Sequence, residues 1–354
     1  MERHTASVRG LPHVLLFILL GQSWANAHHA FKLIDGHDIP SVALGTSLGH
    51  LADGTRVLSA NHSLARAVQW ALEAGYRHID TAALYRTEDE VGLGVRDYLR
   101  DKGLHRDNVY ITTKLWNDAH ERGEVIPALK QSLENLQMEY VDLYLMHYPM
   151  AYKKNGSISL TDYLETWKGL EDAVEANLTK SIGVSNFNIT QMQRLWDNAR
   201  IKPAVLQIEV NPSITQEELV GWCRTHGVIV MGYSPFGAIL GRKPDAPPPK
   251  ADDPALQRIA TQHGKTVPQI LLRYLLDRQI VAIPRSTNKE RIKQNIDIFD
   301  FSLIPEEVAV LSAFNSNYRL RTPAKWYPHP HFPFPNKNLT GSEIEYIIAH
   351  SVED

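Results

Sequence analysis

Eight short apolar runs, each followed by an amphipathic stretch, constrain the fold of this 354-residue chain most strongly. Near-continuous apolar runs are typical of parallel strands that are buried on both faces. The strand candidates are residues 42–45, 78–82, 109–115, 141–148, 181–186, 205–211, 228–235 and 280–286. The helix candidates are residues 63–74, 121–136, 162–177, 190–199, 216–226, 267–277 and 288–296. This alternation predicts an α/β fold, and eight such units in about 270 residues predict a (β/α)8 TIM barrel.

Several glycines and loops refine this prediction. A Rossmann fold is disfavoured because no Gly-x-Gly-x-x-Gly follows the first strand candidate. Gly92 and Gly94 lie within a helical pattern and are interpreted as packing glycines. Residues 31–40, centred on Asp35-Gly36, predict an N-terminal β-hairpin across the bottom of the barrel. The irregular stretches 236–254 and 316–354 predict long loops over one face, where such loops build substrate sites.

The first 27 residues have the features of a secretory signal peptide. A basic start is followed by the apolar run 14–20 and by the small-x-small sequence Ala25-Asn26-Ala27. We therefore expect a signal peptide at 1–27, a barrel at 28–315 and a C-terminal loop tail at 316–354 that packs on the barrel. Cleavage after Ala27 predicts secretion, and the alternative is an amphipathic or disordered extension on a cytoplasmic protein. N-glycosylation sequons occur at Asn61, Asn155, Asn177, Asn188 and Asn338.

Composition excludes several classes of protein. The single cysteine cannot form an internal disulfide or a Cys-rich zinc site. A net charge of −3 argues against nucleic acid as a partner. Apolar runs do not reach the roughly 18–20 residues that span a bilayer, so no membrane partner is expected. We expect a monomer that acts on a small molecule.

Polar side chains stand at the carboxyl ends of three strand candidates, where a barrel of this kind carries its catalytic groups. They are Asp80, Lys114 and His147, and Tyr85 follows Asp80 by five residues. Pairing Asp80 with Lys114 would remove the cost of burying either charge. A cation beside Tyr85 would lower its pKa towards neutrality and make it a general acid. The alternative is a plain ion pair with a core histidine, which four suitable residues together disfavour.

The motifs that follow several strands resemble those of the aldo-keto reductases. The similarity extends from Phe31 to about Asn315 and lies in an ordered set of stretches. These stretches are residues 75–82, 113–116, 142–147, 182–187, 207–212, 233–237 and 283–288. The resemblance implies an NADPH-dependent carbonyl reductase that needs no metal. In such an enzyme Tyr85 protonates the carbonyl oxygen, Asp80 and Lys114 tune Tyr85, and His147 positions the oxygen.

The same resemblance implies a cofactor site along the barrel mouth. Tyr233 would stack on the nicotinamide. The remaining cofactor residues that it implies are Gly45, Thr46, Asp80, Ser185, Asn186, Gln207, Ser234, Arg285, Ser286, Thr287, Asn288, Arg291, Gln294 and Asn295. Arg285 and Arg291 bracket a strand end and a helix start, which favours binding of a phosphate and hence of NADPH over NADH. Arg285 stands where the family usually has lysine, and Gln294 where glutamate is common.

The substrate pocket is predicted to be aromatic and wide. Its expected lining is Ser47, Trp116, Tyr148, Trp326 and Tyr327, with Phe332 and Phe334 nearby. Ser47 replaces a bulky aromatic of many members and Tyr148 replaces a tryptophan. A hydrophobic aldehyde or a ketosteroid, such as a 3-dehydroecdysteroid, fits this lining. The alternatives are a catalytically weak cofactor-binding or structural relative and a metal-dependent hydrolase, and the latter would need clustered ligands. The loop histidines His28, His29, His329 and His331 are interpreted as surface residues.

Overall fold

The computed structural model describes residues 29–49, 55–241, 243, 245–321 and 326–334. Eight parallel strands follow one another around a barrel, so the predicted fold class is confirmed. A two-stranded antiparallel hairpin precedes them. The strands are β1 Ala30–Lys32, β2 Asp38–Pro40, β3 Ala43–Gly45, β4 His78–Asp80, β5 Tyr110–Leu115, β6 Val141–Met146, β7 Thr179–Ser185, β8 Val205–Glu209, β9 Ile229–Tyr233 and β10 Ile280–Ile283. The barrel closes through a parallel bridge between Val42 and Ala282.

The helices lie outside the strands and agree with the sequence pattern at most positions. They are α1 Ser63–Glu73, α2 Glu88–Lys102, α3 Arg122–Leu136, α4 Tyr163–Glu175, α5 Ile189–Asn198, α6 Glu217–Thr225, α7 Pro254–His263, α8 Val267–Asp277, α9 Lys289–Ile296 and α10 Pro305–Ser312. The sequence analysis did not predict α7 and α10. Each is short and begins at a proline, a residue that suits the first helical turn.

Five predicted strands are two or three residues too long at their carboxyl ends. The expected strands 78–82, 141–148, 205–211, 228–235 and 280–286 stop instead at Asp80, Met146, Glu209, Tyr233 and Ile283. The apolar pattern runs on beyond these points because the next residues turn inwards over the barrel mouth. Residues such as Tyr148, Pro235 and Arg285 therefore line a cleft and do not pair in the sheet.

Two glycines let α2 approach its neighbours closely. A Cβ on Gly92 would lie 2.2 Å from the backbone oxygen of Leu136, and one on Gly94 would lie 2.5 Å from that of Ala65. Both distances are too short for a side chain of any size. The pair is therefore required by helix packing, as its place in a helical pattern predicts.

The hairpin closes the bottom of the barrel. Leu33 and Ile39 are buried against Tyr110 and Val205, which face the barrel interior. Below the barrel mouth, the ring of His78 bonds through Nδ1 to the oxygen of Pro40 and through Nε2 to Thr112 Oγ1, at 3.3 and 2.8 Å. Burial lowers the pKa of His78 to about 4, so the ring is neutral at physiological pH.

An ion cluster lies at the same lower end, around the start of β6. The buried Asp142 carboxylate accepts bonds from Arg106, from Lys180 and from the backbone N–H of Ile111, at 2.9, 3.0 and 2.9 Å. Both cations also lie over the ring of Tyr140, each 4.5 Å from its centroid. The charge of Asp142 is thus fully compensated.

The remaining fold-level expectations concern thiols and membranes. Cys223, on α6, is fully buried, and burial raises the pKa of its thiol to about 12. Among the described residues, no helix has the length and apolar character needed to cross a bilayer. The predicted signal peptide at 1–27 and the tail after Phe334 lie outside the described residues.

Candidate active site

A cleft of about 330 Å³ opens at the upper end of the barrel, where all eight parallel strands present their carboxyl ends. Thirteen of the site residues expected from the sequence line it. They are Gly45, Thr46, Ser47, Asp80, Tyr85, His147, Tyr148, Ser185, Asn186, Gln207, Tyr233, Ser234 and Arg285. Lys114 lies directly behind Asp80 and Tyr85. The chain thus brings together residues that are up to about 240 positions apart in sequence.

A buried ion pair forms the floor of the cleft. Lys114 is fully buried, and its Nζ donates to the two carboxylate oxygens of Asp80 at 2.8 and 2.9 Å. It also donates to the carbonyl oxygen of Thr81 at 2.8 Å. Burial alone would lower the pKa of Lys114, but Asp80 and Tyr85 raise it above its ordinary value. The ammonium is therefore charged at physiological pH and held in one orientation.

Tyr85 stands above this pair on a short 3-10 turn, residues Ala83–Tyr85, that follows β4. Its hydroxyl lies 3.4 Å from Lys114 Nζ. Burial raises the pKa of Tyr85 above its ordinary value, while Lys114 acts in the opposite direction. The net direction is opposite to the expectation of a pKa drawn towards neutrality, because burial outweighs the cation. Tyr85 therefore keeps its proton at neutral pH.

His147 forms the side of the cleft next to Tyr85. The two ring centroids are 5.7 Å apart and the rings meet edge to face. Burial, Lys114 and Arg56 all lower the pKa of His147 well below its usual value, so the imidazole is neutral. Its Nδ1 is buried without a hydrogen-bond partner among the described residues. A neutral imidazole keeps one N–H that can donate to a bound oxygen.

The opposite side of the cleft holds the ring of Tyr233 in a fixed position. Its hydroxyl donates to Asn186 Oδ1 at 2.7 Å, and Asn186 Nδ2 donates to the carbonyl oxygen of His147 at 2.9 Å. Gln207 Nε2 donates to Asp80 Oδ2 at 2.8 Å. The amides of Asn186 and Gln207 are thus oriented by protein groups before any ligand arrives. The arrangement offers a flat aromatic wall beside two fixed amides.

A positively charged rim continues from the cleft to the start of α9. The pKa of Arg285 is lowered by burial and by the charges of Arg321 and Arg291. Asn288 caps α9 by accepting a bond from the N–H of Arg291 at 3.0 Å. Among the described residues, Arg285 and Arg291 form no ion pair with a carboxylate. Uncompensated cations beside a helix start fit a phosphate group.

The other residues expected at the phosphate end belong to this rim and do not line the cleft itself. They are Ser286, Thr287, Asn288, Arg291, Gln294 and Asn295. Ser286 and Asn295 are buried, and Ser286 Oγ accepts from the N–H of Asn288 at 3.1 Å. The rim is therefore built from the β10–α9 connection and from the first two turns of α9.

An aromatic wall of Trp116, Tyr148 and Trp326 adjoins the cleft on the side of His147, and of these three residues only Tyr148 lines the cleft itself. The ring of Trp116 lies 5.4 Å from His147 and 5.6 Å from Trp326, and Trp326 lies 4.9 Å from Tyr148. Tyr327 does not join this wall, because its ring turns to Phe332 at 5.3 Å. His329, interpreted from the sequence as a surface residue, is buried, and its Nε2 bonds to the oxygen of Ala151 at 3.0 Å. That interpretation was wrong because the tail folds back onto the barrel.

Three charged residues near the cleft were missed by the sequence analysis. Arg56 and Arg321 line it from two loops, and Glu209 is fully buried at the end of β8. The carboxylate of Glu209 accepts bonds from the backbone N–H groups of Leu320 and Arg321, at 2.8 and 3.0 Å. The position of Glu209 in the strand-end motif 207–212 was a usable signal. Arg56 and Arg321 stand in irregular loops and carried no such signal.

In the described part of the chain, His, Cys, Asp and Glu residues do not gather into any group of three that could hold a metal ion. Asp80 is instead bound by Lys114 and Gln207.

Residues 42–316 match the model of the aldo/keto reductase family. The aldo-keto reductase AKR2E4 of Bombyx mori is 50% identical over 303 residues, which cover 85% of this chain and 97% of that protein. The aldo-keto reductase family 1 member A1 of Xenopus tropicalis is 41% identical over 325 residues, covering 85% and 96%.

Solved structures agree with these sequence matches. The crystal structure of AKR2E4 in complex with NADP superposes with a TM-score of 0.82 and covers 86% of this chain and 98% of that one. That of AKR2E5 complexed with NADPH has a TM-score of 0.84, with 41% identity and coverage of 88% and 96%. Fold, strand-end motifs and matches over nearly the whole barrel lead to one conclusion: this chain belongs to the aldo/keto reductase family.

Proposed function

We propose that this protein reduces the carbonyl group of an aldehyde or ketone to the alcohol with NADPH. The observation that carries the proposal is the position of Lys114 Nζ, which contacts both Asp80 and the hydroxyl of Tyr85 at the floor of the cleft. When bound, the dihydronicotinamide would supply a hydride to the carbonyl carbon. The protein's own task is then to hold the carbonyl and to deliver one proton.

Tyr85 is the proposed proton donor. Its raised pKa keeps the hydroxyl protonated, and the nearby ammonium of Lys114 stabilises the phenolate that forms when the proton leaves. Asp80 keeps Lys114 charged and holds its ammonium next to the Tyr85 hydroxyl. The neutral ring of His147 is proposed to donate an N–H to the carbonyl oxygen and so to orient it between Tyr85 and the cofactor.

The residues of the cleft fit NADPH. Tyr233 offers a fixed ring for stacking, and Ser185, Asn186 and Gln207 offer polar groups for the carboxamide. Arg285 and Arg291, together with Ser286, Thr287, Asn288, Gln294 and Asn295 around the start of α9, would hold the adenosine phosphate. Gly45, Thr46 and Ser234 would lie along the ribose and the adjoining phosphates.

A hydrophobic carbonyl compound is the proposed substrate, and a ketosteroid such as a 3-dehydroecdysteroid is the candidate to test. Trp116, Tyr148 and Trp326 offer an aromatic surface directly beside His147. Ser47 contributes only a small side chain to the lining of the same cleft. Such a surface suits a flat, apolar body with one polar end.

Oxidation of NADPH in the presence of a carbonyl panel, including aromatic aldehydes and ketosteroids, tests the proposal. Tyr85→Phe is expected to lower kcat by about 10²–10⁴-fold, since it removes the proton donor. Quenching of NADPH fluorescence should stay nearly unchanged in this variant. Wild-type protein that binds NADPH but reduces no member of the panel would instead be a catalytically weak relative.

We further propose that the chain is secreted after cleavage behind Ala27. The support lies in the leader pattern and in three sequon asparagines, Asn61, Asn155 and Asn177, which are exposed. Asn188 is a poor acceptor because its Nδ2 donates to the oxygen of Pro333 at 3.1 Å. Mass spectrometry of protein from culture medium should find His28 at the N-terminus. An intact leader would refute secretion by this route.

A further inference from the structure

Arg56 is an unpaired cation at the catalytic centre. Its guanidinium carbon lies 5.8 Å from the centroid of the Tyr85 ring, and the residue lines the cleft. Its Nη1 is buried without a hydrogen-bond partner. Among the described residues Arg56 takes part in no ion pair. A buried guanidinium donor without an acceptor is costly unless a ligand supplies one.

The carboxylates near Arg56 are already committed to other groups. Asp80 binds Lys114 and Gln207, and Glu209 binds the backbone of the C-terminal loop. Arg321 also lines the cleft, and its positive charge repels that of Arg56 and lowers the pKa of Arg56. The cleft therefore presents excess positive charge next to Tyr85.

The position of Arg56 distinguishes it from the arginines at the phosphate end. The Arg56 guanidinium lies 5.8 Å from the centroid of the Tyr85 ring and its charge acts on His147, whereas Arg285 interacts with Arg291 at the start of α9. Arg321, which also lines the cleft, repels both Arg56 and Arg285. Tyr85 and His147 are the residues that the proposed function places on the substrate oxygen. An anion bound by Arg56 would thus belong to the substrate and lie within a few bonds of its carbonyl group.

We propose that Arg56 selects carbonyl substrates that carry an anionic group, a carboxylate foremost, on a hydrophobic body. This inference rests on the proposed function and narrows its substrate class. The guanidinium offers a planar pair of donors that matches a carboxylate. Trp116, Tyr148 and Trp326 accept the apolar part of the same molecule. A neutral ketone would contact the aromatic wall but would leave Arg56 without a partner.

A matched pair of aldehydes tests the inference on the full chain. The probes are 4-carboxybenzaldehyde and 4-methylbenzaldehyde, which have similar size and differ in charge. Wild-type protein is expected to have at least tenfold higher kcat/KM for the carboxylate. Arg56→Gln should remove this preference: the ratio of kcat/KM for the carboxylate to kcat/KM for the methyl compound should fall about tenfold or more, through a higher KM for the carboxylate.

The variants and controls separate Arg56 from other causes. The Nη1 of Arg56 has no hydrogen-bond partner in the fold, so Arg56→Gln should be folded and should bind NADPH within twofold of wild type. Arg56→Lys keeps the charge without the planar donor pair. Its preference for the carboxylate should lie between those of the wild type and Arg56→Gln. Arg258→Gln, on the exposed side of α7, changes the net charge equally and should keep the full preference.

Three results would overturn the inference: an equal loss on both aldehydes, weaker NADPH binding in Arg56→Gln, or no preference in the wild type. A wild type that reduces both aldehydes equally refutes the anion selection alone. If no aldehyde is reduced, the proposed function fails, and binding of benzoate to the protein with NADP⁺ decides the inference. Benzoate binding that Arg56→Gln abolishes supports it, and its absence in wild type refutes it.

Discussion

The two ends of this barrel both bury polar and charged groups, but they differ in whether these groups have hydrogen-bond partners. At the bottom, Asp142 and His78 have all their polar partners within the protein. At the mouth, the Nδ1 of His147 and the Nη1 of Arg56 are buried without partners among the described residues. Unsatisfied groups cost stability, and satisfied ones contribute to it. Asp142 and His78 therefore contribute to stability, while His147 and Arg56 retain capacity to bind a ligand.

The largest expected effect belongs to Lys114→Met, a change at the mouth. The change removes the cation beside Tyr85 and leaves Asp80 as an unpaired buried charge. We expect kcat to fall about 10²–10⁴-fold and the free energy of unfolding to fall by about 3–5 kcal/mol. Steady-state kinetics and urea denaturation measure the two effects.

The double variant Asp80→Asn with Lys114→Met serves as its control. It removes both charges, so it should regain much of the lost stability while remaining inactive. A stable and active Lys114→Met protein would contradict the assignment of Lys114 to the catalytic centre.

The counterpart at the bottom is Asp142→Ala. It would leave Arg106, Lys180 and the N–H of Ile111 without their acceptor. We expect a loss of about 2–4 kcal/mol in the free energy of unfolding, with kcat per folded molecule unchanged. Thermal denaturation and active-site titration with NADPH would measure this. A fall in kcat without a fall in stability would break the division between the two ends.

The pH dependence of stability offers a third test at the bottom. The pKa of His78 is lowered to about 4 by burial. Burial and the charge of His329 lower the pKa of His120, in the β5–α3 loop at the upper end of the barrel, to about 3. Below pH 6.5 the unfolded chain takes up protons that the folded chain does not, so stability falls as the pH falls. Over the range from pH 6.5 to 5, His78 alone should account for roughly 2 kcal/mol.

The matched variant is His78→Gln, which keeps hydrogen-bonding groups but does not titrate. Its stability should fall less steeply between pH 6.5 and 5, although His120 still contributes. Equal slopes for the variant and the wild type, measured by urea denaturation at each pH, would show that His78 is not the origin of the effect.

The smallest expected effect belongs to Glu209, which lies at the mouth but acts on the backbone. Its carboxylate binds the N–H groups of Leu320 and Arg321 and so holds the C-terminal loop over the cleft. Glu209→Gln keeps one acceptor oxygen in place of two. We expect KM to rise a few-fold, which corresponds to about 1 kcal/mol, with kcat nearly unchanged. A large loss of kcat would mean that Glu209 acts on the chemistry itself.

The sequence was sufficient for most of the fold because its signals were local. Each buried strand is a run of apolar residues, and the polar residue that follows it reaches the barrel mouth by topology alone. Asp80, Lys114 and His147 could be placed in one site for this reason. Gly92 and Gly94 were interpreted correctly because their spacing occurs within a helix and not after a strand.

Two kinds of feature could not be predicted: the positions of side chains in long loops, and the direction of a pKa shift that has opposing causes. Arg56 and Arg321 come from irregular segments whose path no periodic pattern reports. Tyr327 turned out to contact Phe332, because the direction of a side chain in a loop depends on tertiary packing. The net direction of the Tyr85 pKa depends on burial against the charge of Lys114, and only the structure compares them.

The burial of Cys223 has a practical and biological consequence. Its thiol is sealed within α6 and kept protonated, and the chain has no other cysteine. Oxidants therefore find no accessible sulfur with which to cross-link or inactivate the folded barrel through a disulfide. We therefore expect the activity to be the same with and without added thiol. Passage through a secretory route would require no new covalent support for the fold.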